Sequence, residues 1–134
     1  MIYLSDDMKA AASQSRLAAM VARAANPLTL KLYNGTQPSA GGAVTTQTML
    51  VSVTLATPPG TVVAHTLTLN AANTLNQVSA TGTPTWGRIS DSNGNWLIDA
   101  SAGVTGGGGV FTVDRVPIYQ GGNLTALAMS LTEQ

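Results

Sequence analysis

The sequence predicts a mainly β protein: an antiparallel β-sandwich, jelly-roll or Ig-like, of about seven strands with one N-terminal α-helix. Apolar residues recur at helical spacing only near the start of the 134-residue chain. From residue 28 to the end they alternate with polar residues, and turn residues interrupt this alternation at short intervals, as in sandwiches. The length fits a single domain, which we divide into a helical arm, residues 1–27, and a β-sandwich domain, residues 28–134.

The predicted helix covers about residues 5–25. Ser5 is suited to the N-cap, and Asp6 and Asp7 would lie in the first turn, where the helix dipole favours negative charge. Asn26-Pro27 should end the helix, because the residue before a proline is pushed out of the α region. The sizeable apolar residues of this helix, which we assign to a candidate assembly interface, are Leu17, Met20 and Val21.

This helix carries little apolar surface of its own. At about 2 kcal/mol for each buried side chain, its three anchors would contribute at most ~6 kcal/mol. Ordering some twenty residues costs more than that, at about 1 kcal/mol or more per residue. We therefore expect the helix to be stably ordered only when it docks on another subunit. The alternative is that it lies across an open face of its own sandwich.

Turn residues separate the predicted strands. Pro58-Pro59-Gly60 should break the chain between two of them. The run Gly106–Gly109 leads into a strand and lacks the Lys-Ser/Thr of a phosphate-binding loop, so we interpret it as a flexible connection between strands. The strands are expected near residues 28–33, 48–55, 62–69, 84–91, 95–102, 110–116 and 123–132.

Asn93-Gly94 lies between two alternating apolar runs and predicts a two-residue hairpin. In that register Arg88 lies opposite Asp99, and Asp91 lies opposite Trp96. The charged pair should fix the register and carry no catalysis. Exchanging its two residues should recover most of the stability that either single change loses.

The same register places Trp86 on the face away from the core, beside Arg88, and places Trp96 on the core face. An exposed tryptophan beside an arginine is typical of a protein–protein hot spot or a sugar-binding platform. Trp86 therefore joins the candidate assembly interface. The alternative is that the second sheet or the helix covers it.

The inventory for catalysis or metal binding is small: there is no Cys, and there is one His, one Glu and five Asp. Asp91, Asn93 and Asn95 are spaced like the first ligands of a calcium loop, but Trp96 and Ala102 stand where that loop requires Gly and Glu. His65 lies on the apolar face of its strand, as a packing residue would. We predict no enzyme activity, no cofactor, and no catalytic, cofactor-binding or metal-binding residues.

The charge balance also excludes some partners. Six basic residues balance six acidic ones, which leaves little to build a nucleic-acid surface. No apolar run reaches the length of a membrane span, and acidic residues stand where a secretory signal would need apolar ones. We expect synthesis in the cytosol, with no nucleic-acid or membrane partner.

Three segments resemble small virion-associated proteins of tailed bacteriophages. The first is Leu30–Pro38, with its Tyr-Asn-Gly-Thr-Gln-Pro; the second is Thr85–Gly94, a Thr-Trp-x-Arg-Ile-x-Asp-Ser-x-Gly pattern. The third is Ile118–Gly122, which precedes a final Thr/Leu-rich strand. The segments follow the order of that family, in which a short N-terminal helix precedes the first strand. The family supplies no catalytic residues.

The resemblance implies a structural role in a virion, as a capsid-decorating, neck or tail component made in the host cytoplasm. Its expected partners are other virion proteins, such as capsid, portal, neck or tail proteins, and further copies of the chain in a homo-oligomer. The alternative is a carbohydrate- or receptor-binding module that uses Trp86 and the Asn/Thr-rich loops.

Overall fold

The computed structural model describes residues 5–23, 27–39, 41–64, 66–72, 76–124 and 127–132. The protein has one helix, and its nine strands follow in chain order among the described residues. They are α1 (Asp6–Arg23), β1 (Thr29–Tyr33), β2 (Met49–Val63), β3 (Thr66–Ala71), β4 (Asn76–Gln77), β5 (Trp86–Ser90), β6 (Trp96–Val104), β7 (Phe111–Val113), β8 (Asn123–Leu124) and β9 (Leu127–Thr132).

Helix α1 begins as predicted. The Ser5 hydroxyl accepts a hydrogen bond from the Met8 N–H at 3.3 Å, and the Ser5 carbonyl accepts one from the Lys9 N–H at 3.0 Å. Ser5 is therefore the N-cap that satisfies the first free amide groups of the helix. The predicted stop at Asn26 falls outside the described residues; α1 itself ends at Arg23.

The mainly β fold with one helix is confirmed, but the strands form one closed barrel in place of the two sheets of a sandwich. The strand order is β1-β2-β3-β9-β7-β6-β5, and β5 pairs back with β1. The physical reason lies in β2, whose first half pairs with β1 and whose second half pairs with β3. The register shifts between Leu55 and Gly60, so Pro58-Pro59-Gly60 bends a continuous strand around a corner. The expected chain break at this point is wrong.

One strand pair is parallel, which corrects the all-antiparallel expectation. Strands β6 and β7 run in the same direction, with Ala102 opposite Phe111 and Val104 opposite Val113. Parallel neighbours ordinarily need a crossover of a dozen or more residues. Here only three residues of each strand pair, so the six residues 105–110 are enough to connect them. Gly106 and Gly108 in this connection have a positive φ. The glycine run is a connection between strands, as predicted.

The β5–β6 hairpin confirms most of the predicted register. Arg88 lies opposite Asp99, and Ile89 lies opposite Ile98. The predicted pairing of Asp91 with Trp96 is wrong, because a bulge pairs Trp96 with Ser90. The turn spans Asp91–Gly94, whose ends are joined by a Gly94 N–H to Asp91 carbonyl bond, and only Gly94 has a positive φ. The predicted two-residue turn at Asn93-Gly94 is therefore wrong, because it needs a positive φ at both residues. The bulged turn that forms in its place displaces one residue of the strand.

The core fills the barrel and extends to the helix. Met20 of α1 belongs to the same buried cluster as Leu30, Leu55 and Phe111. Two glycine positions show how tightly it is packed: a Cβ on Gly87 would lie 2.8 Å from the Phe111 ring, whereas one on Gly103 would meet nothing within 4 Å. The two-stranded sheet of β4 and β8 lies outside the barrel order and was not expected from the sequence.

Candidate functional site

The barrel wall is incomplete between β6 and β9. Strand β7 joins them, but it is only three residues long. Val110 still bonds to both edges: its N–H donates to the Ser101 carbonyl at 3.0 Å, and its carbonyl accepts from the Ser130 N–H at 3.4 Å. The residues that precede Val110 lie outside the wall, in the connection 105–109. In the part of the chain that the structure describes, no strand lies between Trp96–Asp99 and Leu131–Thr132.

A half-open cavity of about 530 Å³ occupies this place. We call it the slot. Its volume lies within the range of about 300–1,000 Å³ that is usual for ligand-binding clefts. Helix α1 forms one wall, and the edges of β6 and β9 form the others. The slot is lined by Arg16, Ala19, Met20, Trp96, Leu97, Ile98, Asp99 and Leu131.

Backbone groups of both strands face the slot. The Ser101 carbonyl points toward β7, and backbone groups two residues apart on a strand point the same way, so those of Asp99 also point to this side. The same alternation takes the Thr132 backbone from Ser130 toward the slot. The slot is therefore bordered by two strand edges and by apolar side chains of the core.

Trp96 forms the exposed rim of the slot. The sequence placed it on the core face, but the bulge shifts it outward, and the residue is 44% exposed. Its indole lies against the backbone of Gly41, where a Cβ would overlap the ring. Gly41 also has a positive φ of 70°, so this close approach suits glycine. The exposed tryptophan of the protein is thus Trp96.

Trp86, the tryptophan expected at an interface, is covered. It is 1% exposed, its ring stacks on Tyr33 with centroids 4.5 Å apart, and its Nε1–H donates to the Asn34 carbonyl at 3.3 Å. The Arg88 guanidinium lies 5.4 Å from the ring centroid. The sequence placed Trp86 on the face away from the core, but Asn34 and residues 41–42 lie across that face. Local alternation cannot reveal such a cover.

Arg88 and Asp99 hold this segment to the barrel. Arg88 donates to the Asp99 carboxylate through Nε at 2.6 Å and Nη2 at 2.9 Å. The loop adds two bonds: the Gly41 N–H donates to Asp99 at 3.1 Å, and Arg88 Nη2 donates to the Gly42 carbonyl at 2.8 Å. We call these four residues the clamp. It lies next to the slot, because Asp99 belongs to both.

The clamp also has an electrostatic consequence. The hydrogen bond to Asp99 raises the pKa of Arg88 above its ordinary value, so the guanidinium stays charged. Burial raises the pKa of Tyr33, and the nearby positive charge of Arg88 offsets part of this effect. The phenol of Tyr33 is therefore held in its neutral form beside a permanent cation.

The helix residues of the predicted interface face the protein's own barrel. Met20 is 4% exposed, and Leu17 is half-buried against the same core. The side chain of Val21 is not among those that the structure describes. The helix therefore packs on its own domain, as the alternative held. Met20 also lines the slot.

Polar groups considered for chemistry have structural partners. Asp91 Oδ1 accepts the N–H groups of Asn93 and Asn95, both at 2.9 Å, so the calcium-like spacing closes a turn. Among the described residues no group of three or more His, Asp or Glu is placed to hold a metal ion. His65 lies outside the described residues.

Within the described ranges, no helix combines the length and apolar character needed to cross a membrane. Comparisons of the chain with models of protein families, with curated proteins and with solved structures found no match.

Proposed function

We propose that this chain is a structural protein of a tailed-phage virion, a capsid-decorating, neck or tail component that acts by self-assembly and by docking on other virion proteins. The slot is the observation that carries the assembly role. A closed barrel normally leaves no strand edge open. Among the described residues, this barrel leaves part of β6 and part of β9 without a neighbouring strand, beside a cavity lined by apolar side chains together with Arg16 and Asp99. Such a surface is typical of an interaction site.

The virion setting is supported by the resemblance of Thr85–Gly94 to the phage family. In this chain the segment supplies Trp86 and Arg88, which fasten the loop 34–48, and the turn that closes the β5–β6 hairpin. The matched residues thus hold one rigid building block together. The absence of net charge supports the same role, because many copies can pack without mutual repulsion.

Co-sedimentation with phage particles tests the proposal. The purified chain should sediment with heads, necks or tails that lack it, and a charge on the slot rim should abolish this. Trp96→Asp is the test variant, because Trp96 is exposed and its replacement leaves the core intact. Val63→Asp is the matched control: Val63 is 74% exposed and does not line the slot. The proposal is contradicted if both variants lose co-sedimentation equally, or if the unmodified chain does not bind the particles.

A carbohydrate- or receptor-binding module is the second candidate, and Trp96 is the observation that favours it. An exposed indole beside Arg16 in a half-open cavity is a suitable platform for a sugar ring. Glycan-array binding by the isolated protein, lost in Trp96→Ala, would support this candidate. Binding to particles without glycan binding would support the virion role.

A further inference from the structure

We propose that the slot binds an extended strand from a second copy of the chain, and that this strand is Met1–Leu4. The inference rests on the proposed assembly function and names its partner. The occupant would continue the line of β7 through the wall, parallel to β6 and antiparallel to β9. Such strand addition gives affinity through main-chain hydrogen bonds and specificity through alternate side chains.

The open edges determine what kind of occupant fits. Asp99 lines the slot on one side, and Thr132 follows the lining residue Leu131 on the other. Strand alternation points the backbone groups of both residues toward the slot, and β7 already pairs with both strands farther along the wall. An extended backbone can bond to both edges, whereas a helix bonds its own backbone groups internally. The edges therefore favour a strand.

The walls determine the side chains of the occupant. Ile98 and Leu131 are only partly buried, and the buried Met20 also lines the slot. A strand placed here would put every second residue against these apolar groups. The sequence Met1-Ile2-Tyr3-Leu4 consists of apolar and aromatic residues with no charged side chain, and Ile2 and Leu4 would share one face.

The reach of the chain argues for a second copy. These four residues precede Ser5, the N-cap of α1. Fully extended, they span at most about 14 Å. Ser5 and Arg16, the first helix residue that lines the slot, are separated by about 16 Å along the helix axis, and Met20 is farther. A segment folded back from its own helix start would fall short of this part of the slot, whereas one from a neighbouring copy meets no such restriction.

The test combines the full chain, a version that lacks residues 1–4, and synthetic peptides. Sedimentation equilibrium should show an oligomer for the full chain and a monomer for the shortened chain. A labelled peptide of residues 1–7 should bind the shortened chain by fluorescence anisotropy. The same peptide with Ile2→Asp and Leu4→Asp should bind at least about a hundredfold weaker, because charged side chains replace two buried apolar ones.

A third peptide isolates the strand pairing. N-methylation of the Tyr3 amide keeps all side chains but removes a backbone donor and adds bulk at the strand edge. Strand addition predicts loss of binding for this peptide, while simple apolar capture predicts none. Because only the peptides differ, folding of the protein is not in question.

Each outcome is decisive. If the full chain oligomerises and the chain that lacks residues 1–4 forms the same oligomer, strand exchange is wrong, while the assembly role stands. If the methylated peptide binds as well as the unmodified one, the slot does not take a strand. A chain that stays monomeric and joins no particle overturns both this inference and the proposed function.

Discussion

Removal of Arg88 from the clamp is the sharpest test of how the fold holds together. Arg88→Met keeps the aliphatic stem but deletes the guanidinium, and with it the contact of the cation with the Trp86 ring. The Asp99 carboxylate, whose side chain is 2% exposed, then loses both of its bonds to Arg88 and retains the Gly41 N–H. The Gly42 carbonyl loses its charged donor as well.

The magnitude follows from burial. The Arg88 side chain is 12% exposed, so the pair is screened far less than a surface pair. Deleting one partner of a buried ion pair destabilises by about 3–5 kcal/mol, because the other charge stays buried without compensation. That is a large part of the roughly 5–15 kcal/mol that stabilises a typical domain. The double variant, Arg88→Met with Asp99→Leu, should lose much less unfolding free energy than the sum of the two single losses, because no charge is then buried without its partner.

Urea unfolding at neutral pH measures these differences, with far-UV circular dichroism and tryptophan fluorescence as probes. Urea is preferable to guanidinium salts, which screen the charged pair. Arg115→Met is the matched control: Arg115 pairs with Asp114 at 3.5 Å, and both side chains are largely exposed. Arg115→Met should lower the free energy of unfolding by less than about 0.5 kcal/mol.

The reasoning would be refuted if Arg88→Met lowered the free energy of unfolding by less than about 1 kcal/mol. Strict additivity of Arg88→Met and Asp99→Leu in the double variant would refute it as well. The structure also revises the expected effect of exchanging Arg88 and Asp99. The exchange restores the cross-strand pair, but it points a guanidinium at the Gly41 N–H and a carboxylate at the Gly42 carbonyl. We therefore expect the exchanged protein to recover only part of the lost stability.

Three further predictions follow from packing and burial. Gly87→Ala should destabilise by about 1–3 kcal/mol in urea unfolding, because the new methyl group would overpack the Phe111 ring, whereas Gly103→Ala should be neutral or slightly stabilising. Met20→Ala should cost about 2–4 kcal/mol if the helix belongs to its own core, while Met8→Ala, at a position 58% exposed, should change stability little. The raised pKa of Tyr33 means that only the unfolded state ionises as the pH passes about 10, so stability should fall there. Tyr33→Phe should flatten this alkaline decline, and an unchanged decline in that variant would contradict the assignment.

Local sequence signals predicted two features of the fold correctly, one of which positions the clamp. Arg88 lies opposite Asp99 because an alternating hairpin with a central Asn-Gly has few possible registers. Ser5 caps the helix because its hydroxyl satisfies a free amide group wherever the helix begins. The slot was not predicted. The sequence predicts a strand near residues 110–116, whereas only Phe111–Val113 forms one. This shortening leaves part of β6 and part of β9 without a neighbouring strand among the described residues.

By itself, the sequence determined the class of structure: one capped helix, then period-two strands with a fixed hairpin register. These are properties of neighbouring residues, set by backbone geometry and by side-chain alternation. Tertiary structure alone decided that the sheet closes into a barrel, since that depends on β2 bending at Gly60 to pair with two different strands. It also decided that Trp86 is covered and Trp96 exposed. Alternation tells which side of a sheet a residue occupies, but what covers that side is decided by segments distant in the chain.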